Sequence, residues 1–427
     1  MEILIACLFV AGYVVIAFEH PLKVNKAAAA LITGALCWTV YVLSGASHEV
    51  VGHQLAEHLS EIAGILFFLL GAMTIVEIMD AHDGFETISE RIKTTDKRKL
   101  LWLISFIAFS LSAVLDNLTT TIVMVSLIRK LVPGKEDRLF FAGMIVIAAN
   151  AGGAFSPIGD VTTTMLWIGG QISTFAIIGK LFLPSLVCIL TPLLILSVTM
   201  KGEKLNNVLT ETDKEGLSSS PRERLSVFLL GIGALLFTPV FKTFTHLPPY
   251  MGILLGLGVI WVWTDLMHKA KEDDHKRKLS VLRALERIDT PSILFFLGIL
   301  VTVAALESVG ILPQLAQWMD KSIGNESVIA ISIGLLSAVV DNVPLVAAAM
   351  GMYSLDTYPM DSYFWEFLAY TAGTGGSILI IGSAAGVAAM GMEKIDFMWY
   401  LKRISLLALL GYLAGAFVYI LQYQLFS

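Results

Sequence analysis

Long uncharged apolar runs recur along the chain, among them Ile3–Phe18, Ala27–Leu43, Leu100–Leu115, Leu225–Phe241 and Ile404–Phe426, separated by short polar stretches. Each run approaches the length a helix needs to cross a hydrocarbon layer of roughly 30 Å. Alternating segments of barrel type are missing, and hydrocarbon offers unpaired backbone amides no water, so the runs predict helices. The pattern predicts an all-α polytopic membrane protein of about ten spans.

One apolar stretch, 100–128, carries Asp116-Asn117 at its middle and basic residues on both flanks. Its two arms are short for full spans, so it reads as a re-entrant helical hairpin over 97–132 that enters and leaves by one face. The same pattern returns in the second half. Ser112-Ala113-Val114-Leu115-Asp116-Asn117 matches Ser337-Ala338-Val339-Val340-Asp341-Asn342 at five of six positions. Phe68-Leu69-Leu70-Gly71 pairs with Phe295-Phe296-Leu297-Gly298, Asn150-Ala151-Gly152-Gly153 with Thr371-Ala372-Gly373-Thr374, and Ser156 stands opposite Ser377.

We expect two repeats, 1–200 and 223–427, joined by a cytoplasmic linker over 201–222. The first contains the hairpin 97–132 and a broken helix over 138–170. The second contains a further linker over 267–290, a hairpin over 326–356 and a broken helix over 363–393. An odd number of crossings per half gives inverted topology, with both hairpin tips and the broken helices at the midplane, which is the sequence pointer to a secondary transporter. Gly84–Lys93 and Gly310–Asp320 read as short amphipathic arms along the membrane surface.

Composition agrees, with 56% hydrophobic and 15% charged residues, a balance that excludes an ordinary soluble domain. The net charge of −6 decides little, and no basic patch suggests nucleic acid. Placement decides more: every Lys and Arg except Lys180, Lys242 and Lys321 falls in loops assigned to one face, which is then cytoplasmic. Both termini are expected outside, and a bacterial plasma (inner) membrane is the expected location. The first run lacks a basic leader and a small-residue cleavage site, so it reads as a span rather than a signal peptide. Cys7, Cys37 and Cys188 lack metal-ligand spacing and read as packing residues. His48, His53 and His58 read as part of a solvated outer loop, Lys180 as a snorkelling residue or the partner of a carboxylate, and Glu77, Asp80 and Glu307 as interfacial.

Four polar clusters stand where hydrocarbon is expected: Asp116-Asn117 with Thr119, Thr120 and Thr121; Asn150 to Thr164; Asp341-Asn342; and Thr371 to Ser383. Gly152, Gly153, Pro157 and Gly159 in one, and Gly373, Gly375, Gly376 and Gly382 in another, interrupt a helix and free backbone carbonyls. Carbonyl, hydroxyl and amide oxygens are the hard donors a dehydrated alkali cation needs. An ionised carboxylate in hydrocarbon is costly without a partner. No Lys or Arg stands beside Asp116, Asp160 or Asp341 in the sequence, and none is expected to clasp them. Such a group is then neutral with a proton or charged with a bound cation. Proton and cation compete for one site, and that competition with alternating exposure suffices for antiport. Helix capping by the aspartates and close packing by the glycines are the simpler readings; the duplication of Asp-Asn favours the ion site. No catalytic group and no cofactor beyond the transported ions is expected.

These residues resemble the NhaD-type sodium/proton antiporters of the ion-transporter superfamily, over nearly the whole chain. The resemblance implies exchange of Na+ or Li+ for H+ by alternating access, elevator-like, in a homodimer with scaffold and moving transport domains. It implies sodium ligation and protonation by Asp116, Asn117, Asn150, Asp160, Thr162, Thr163, Asp341, Asn342 and Ser377, with the sodium ion at Asp116, Asn117, Asn150, Asp160, Asp341 and Asn342. Thr120, Ser156 and Thr371 of the polar clusters are further candidates. Dicarboxylate and arsenite carriers of the same superfamily are the alternative. The dicarboxylate carriers place Ser-Asn-Thr at the hairpin tips, where positive helix ends help hold an anion. Asp-Asn repels a dianion, so a cation is the expected substrate. A cation channel is the second alternative, disfavoured by two opposed hairpins without a continuous polar stripe.

Overall fold

The computed structural model describes residues 2–17, 19–89, 92, 94, 96–132, 134–199, 219–269 and 279–426, and its elements are helices. The first half has α1 (Glu2–Ala17), α2 (Glu19–Leu22), α3 (Lys26–Leu43), α4 (His48–Ala81) and the single turn α5 (Glu86–Ser89). The pair α6 (Lys97–Ser112) and α7 (Asn117–Leu131) follows, joined by residues 113–116. Next come α8 (Lys135–Ala154) and α9 (Val161–Ile168), separated by a break over 155–160, then α10 (Thr174–Thr199). The second half opens with α11 (Pro221–Thr245), α12 (Pro249–Met267), α13 (Val281–Arg287), α14 (Thr290–Ser308) and α15 (Ile311–Ser322). It continues with the pair α16 (Glu326–Leu336) and α17 (Asn342–Met352), the broken pair α18 (Tyr363–Gly375) and α19 (Ala384–Glu393), then α20 (Phe397–Arg403) and α21 (Ser405–Phe426).

Among the described residues, seven helices are long and apolar enough to cross a membrane: α3, α4, α10, α11, α12, α14 and α21. The difference from about ten spans has a local cause. Helix α1 has only 16 residues, and α8 with α9 and α18 with α19 divide apolar segments that a hydropathy reading joins.

Residues 44–60, expected as an outer loop, are mostly helix instead. Helix α4 starts at His48 and runs for 34 residues, about 50 Å at the usual rise, so its polar first turns project beyond a hydrocarbon layer. Glu49, Gln54, Leu55, Ala56, Glu57 and Leu59 are good helix formers and no proline interrupts them. His58 there lies 3.2 Å from Ser308 Oγ of α14. Among the described residues of the expected arm 84–93, Glu86–Ser89 is helical; Glu90, Arg91 and Lys93 lie outside the described residues. The linkers expected over 201–222 and 267–290 lie outside the described residues as far as 218 and between 270 and 278.

The helices pack as two groups. In one, α3 lies on α14 and α1, and α4 packs on α12, α14, α11 and α13. In the other, α8 is surrounded by α6, α7, α10, α18 and α19, while α16 lies on α18 and α21 on α10. The groups touch where α17 meets α14 and α9 meets α4, and α15 bridges α14 to α17. Two glycines set the spacing inside the second group. A Cβ at Gly152 would fall 2.1 Å from the Phe109 carbonyl oxygen, and one at Gly375 would fall 2.0 Å from that of Gly334, so α8 and α18 press backbone to backbone on α6 and α16. The serines ending those arms tie the same helices together: Ser112 Oγ donates to the Ala149 carbonyl at 2.6 Å, and Ser337 Oγ to that of Ala372 at 3.0 Å. Buried Glu366 accepts from Lys180 Nζ at 2.8 Å and Tyr419 OH at 2.9 Å, so Lys180 has a carboxylate partner. Near the basic loops, buried Glu393 accepts from Arg129 at 2.6 Å and Arg138 at 3.1 Å, which fastens α7 and α8 to α19.

Candidate functional site

Four helices begin around one point, and their caps are the polar residues that end the apolar runs. Asp116 caps α7, Asp160 caps α9, Asp341 caps α17 and Ser383 caps α19. Each side chain accepts from a backbone N–H that the helix start leaves unpaired. Every helix start also contributes a positive end equivalent to about half an elementary charge, which supports a nearby carboxylate. Three of the four caps are aspartates, so the ionised carboxylates outweigh the helix ends taken alone.

Asp116 Oδ1 accepts from the Thr119 N–H and Oδ2 from the Thr119 hydroxyl, both at 2.8 Å. Its backbone, at φ 122° and ψ 161°, lies where L side chains rarely go, a strain of about 1–3 kcal/mol that such sites retain when geometry serves function. Asp160 is buried. Its Oδ1 accepts from the Thr162 N–H at 2.9 Å and the Thr162 hydroxyl at 2.8 Å. Its Oδ2 accepts from Asn117 Nδ2 at 2.5 Å and from Asn342 Nδ2 at 3.5 Å. Asn117 Nδ2 also donates to Asn150 Oδ1 at 3.0 Å, and Asn150 Nδ2 donates to Ser383 Oγ at 2.9 Å. A polar chain thus runs Asp160, Asn117, Asn150, Ser383 across both halves of the sequence.

The third aspartate overturns an expectation. Lys26, in the first turn of α3, places Nζ 3.4 Å from Asp341 Oδ2, so Asp341 has a basic partner where none was anticipated. Lys26 stands 315 residues away in the chain, and only the packing of α3 on α14 brings it in. No ion pair joins Lys or Arg to Asp116 or Asp160 among the described residues, so two of the three carboxylates, not all three, stand without a basic partner.

One cavity is lined by Asp116, Asn117, Asp160, Asp341, Asn342 and Lys26, with Thr119, Thr164 and Ser292. Two adjoining cavities share Lys26, Leu118, Ser292 or Asp341 with it or with each other and lead past Glu19 and Asp289, and past Glu77, Asp80, Lys130 and Arg287. They lie toward the basic loops. A cavity at the opposite ends of α4 and α14, lined by His58, Glu61, Gln171 and Glu307, shares no lining residue with the site. Two cavities adjoining the site thus lie toward the basic-loop face, while an apolar one that shares Ile158 with it lies by the start of α10 and the end of α11, lined by Thr174, Phe175, Thr243 and Phe244.

Thr162 and Asn150 reach the cluster through their hydrogen bonds rather than by lining the cavity. Thr163 Oγ1 donates to the Asp160 carbonyl at 2.9 Å and steadies the cap. Ser156 Oγ donates to the Ala113 carbonyl at 2.5 Å, bracing the break against the turn after α6. Thr371 and Ser377 donate to carbonyls of their own segment, Leu368 at 3.3 Å and Thr374 at 2.6 Å, away from the cavity. Thr120 is buried without a hydrogen-bond partner and does not line the cavity. Lys26 and Ser292 went unmarked by the sequence because each sits at an ordinary helix start.

Comparison with known proteins gives consistent relatives. The family model described as a citrate transporter matches residues 13–373. The chain is 52% identical over 427 residues to "Sodium/proton antiporter 1" of Arabidopsis thaliana, covering 99% of this chain and 73% of that protein. It is 51% identical over 420 residues to "Sodium/proton antiporter 2" of the same plant, covering 97% of this chain and 98% of the relative. To "Na(+)/H(+) antiporter NhaD" of Vibrio cholerae serotype O1 it is 32% identical over 445 residues, covering 97% and 90%.

Proposed function

The chain belongs to the citrate transporter family and, within its reach, to the NhaD-type sodium/proton antiporters, and from that premise we propose that it exchanges sodium or lithium ions for protons by alternating access. The observation that carries this reading is the surrounding of Asp160: a buried carboxylate fed only by neutral donors, facing two further aspartates across one cavity. A carboxylate so placed needs a cation or a proton to offset its charge. Asp116 and Asp160 supply the charged oxygens for a sodium ion, with the amide oxygens of Asn117, Asn150 and Asn342 and one oxygen of Asp341 completing a hard-donor set. Thr119, Thr162 and Thr163 hold the aspartates in place. Ion and proton share these oxygens, so loading one expels the other.

The two halves form inverted repeats in this reading, with α6–α7 and α16–α17 as hairpins entering from opposite faces. The group containing α8 and α18 moves, and the group containing α3, α4, α12 and α14 stays. The basic loops lie in the cytoplasm, so the polar cavities toward them belong to the inward-facing state.

The family's description favours citrate as a second reading. Three carboxylates and a single ammonium on the cavity wall disfavour a trianion. Purified protein in vesicles loaded with a pH-sensitive dye tests both. Adding Na+ or Li+ is expected to change internal pH at once. Citrate uptake without any sodium-driven pH change would replace the proposal with the anion reading.

A further inference from the structure

Lys26 is a charged side chain with a partner on the other side of the boundary between the two helix groups. Its own helix, α3, packs on α14 and α1, whereas Asp341 begins α17, which packs on α9 and α18 as well as on α14. The ammonium sits 4.4 Å from the centre of the Phe295 ring of α14, and Nζ reaches Asp341 Oδ2 at 3.4 Å. Asp341 Oδ1 is taken by the Val343 N–H at 3.3 Å. Both charged side chains stay partly open, at 27% and 17%, and Lys26 lines the cavity that Asp116, Asp160 and Asn342 also line.

A pair this long and partly solvated is a breakable contact rather than a permanent fastening. A bare sodium ion approaches carboxylate oxygens at about 2.3–2.6 Å, the range of hard cations of its size, and displaces a contact of this length. The displaced ammonium has a destination, because Glu19 and Asp289 line the adjoining cavity beside Lys26 and Asn25.

We propose that Lys26 is a tethered stand-in for the transported cation: it occupies Asp341 when the carrier is empty, holds the two helix groups together in that state, and withdraws when sodium binds. The proposal rests on the antiport reading above and adds to it the residue that keeps an unloaded carrier from moving. An exchanger must not cross empty, since an empty return converts exchange into a leak. Lys26 enforces that rule at Asp341, leaving Asp116 and Asp160 to receive the ion. It acts through Asp341 and is a positioning residue.

The test uses full-length protein in vesicles and compares wild type with Lys26→Gln, Lys26→Met and Lys26→Arg. Removing the tethered competitor is expected to lower the apparent KM for Na+ by about three- to fivefold in the pH-dye assay. It should also raise the downhill loss of radioactive sodium that no proton movement accompanies, while Lys26→Arg restores both values toward wild type. Unchanged or higher KM together with an unchanged leak overturns the proposal. A second measurement needs no variant: sodium should speed reductive methylation of Lys26 in the wild-type protein, followed by peptide mass spectrometry, and equal rates with and without sodium overturn the proposal as well. Wild-type vesicles that show no sodium-driven pH change dispose of the antiport reading itself. Normal wild-type exchange with Lys26 variants indistinguishable from it disposes of the stand-in alone.

Discussion

Asp160 accepts four hydrogen bonds, from Thr162 twice, Asn117 and Asn342, and makes no ion pair among the described residues. Asp160→Asn turns one acceptor oxygen into a donor facing donors and removes the charge a cation needs. Losing charge-assisted contacts of about 1.5–3 kcal/mol each predicts at least a tenfold fall in sodium-dependent pH change at normal expression. Asp116→Asn and Asp341→Asn should fall likewise in the same dye assay. Competition also fixes a sign. Under the proposed competition of protons and sodium ions for the same oxygens, the apparent KM for Na+ should rise as pH drops, by about tenfold per unit where one proton opposes one ion. A KM flat from acid to alkaline pH would separate the two sites. The Asp-Asn pairs and the Asn150–Thr164 segment could be picked out from sequence because charge and amide groups in an apolar run have few structural excuses. Lys26 could not, since a lysine after an asparagine cap is what any helix start looks like.

At the scale of elements, Gly152 and Gly375, expected to break the helices, lie inside the last turns of α8 and α18 and instead let helices approach. Gly152→Ala and Gly375→Ala each push a methyl group into a backbone carbonyl, an overpacking cost of about 1–3 kcal/mol. Both should lower the melting temperature of the purified protein in detergent. Gly233→Ala, in α11 with nothing within 4 Å of the added carbon, should leave it unchanged or slightly raised. Helical character and membrane habit were legible because apolar length dominates the signal. The extension of α4 through His48–Ser60 was not, since polarity there suggested a loop while the residue types favoured helix. The breaks after α8 and α18 were expected, but not where the second helix of each pair starts, because that start is set by a single cap, Asp160 or Ser383, that a hydropathy window averages away.

For the whole molecule, the polar cavities beside the site, which lie toward the basic loops, make a topological prediction. In protein whose Cys7 is replaced by Ser, a cysteine at Ser292 should react with a membrane-impermeant thiol reagent added at the basic-loop face and stay protected from the opposite face. A cysteine at Ile65, which lines the far cavity, should show the reverse. Equal labelling of Ser292→Cys from both faces would mean a through-going pore and restore the channel alternative. The arrangement of the two helix groups was the least legible feature, because it depends on pairings such as α3 with α14 that join distant parts of the chain.

The hydrogen bonds from Asn150 to Ser383 and from Asn342 to Asp160 mean that neither half of the polypeptide owns a finished cage. Each contributes walls that only the other can close. Cells producing residues 1–210 or 211–427 alone should gain no tolerance to high salt, and cells producing both fragments together should recover it.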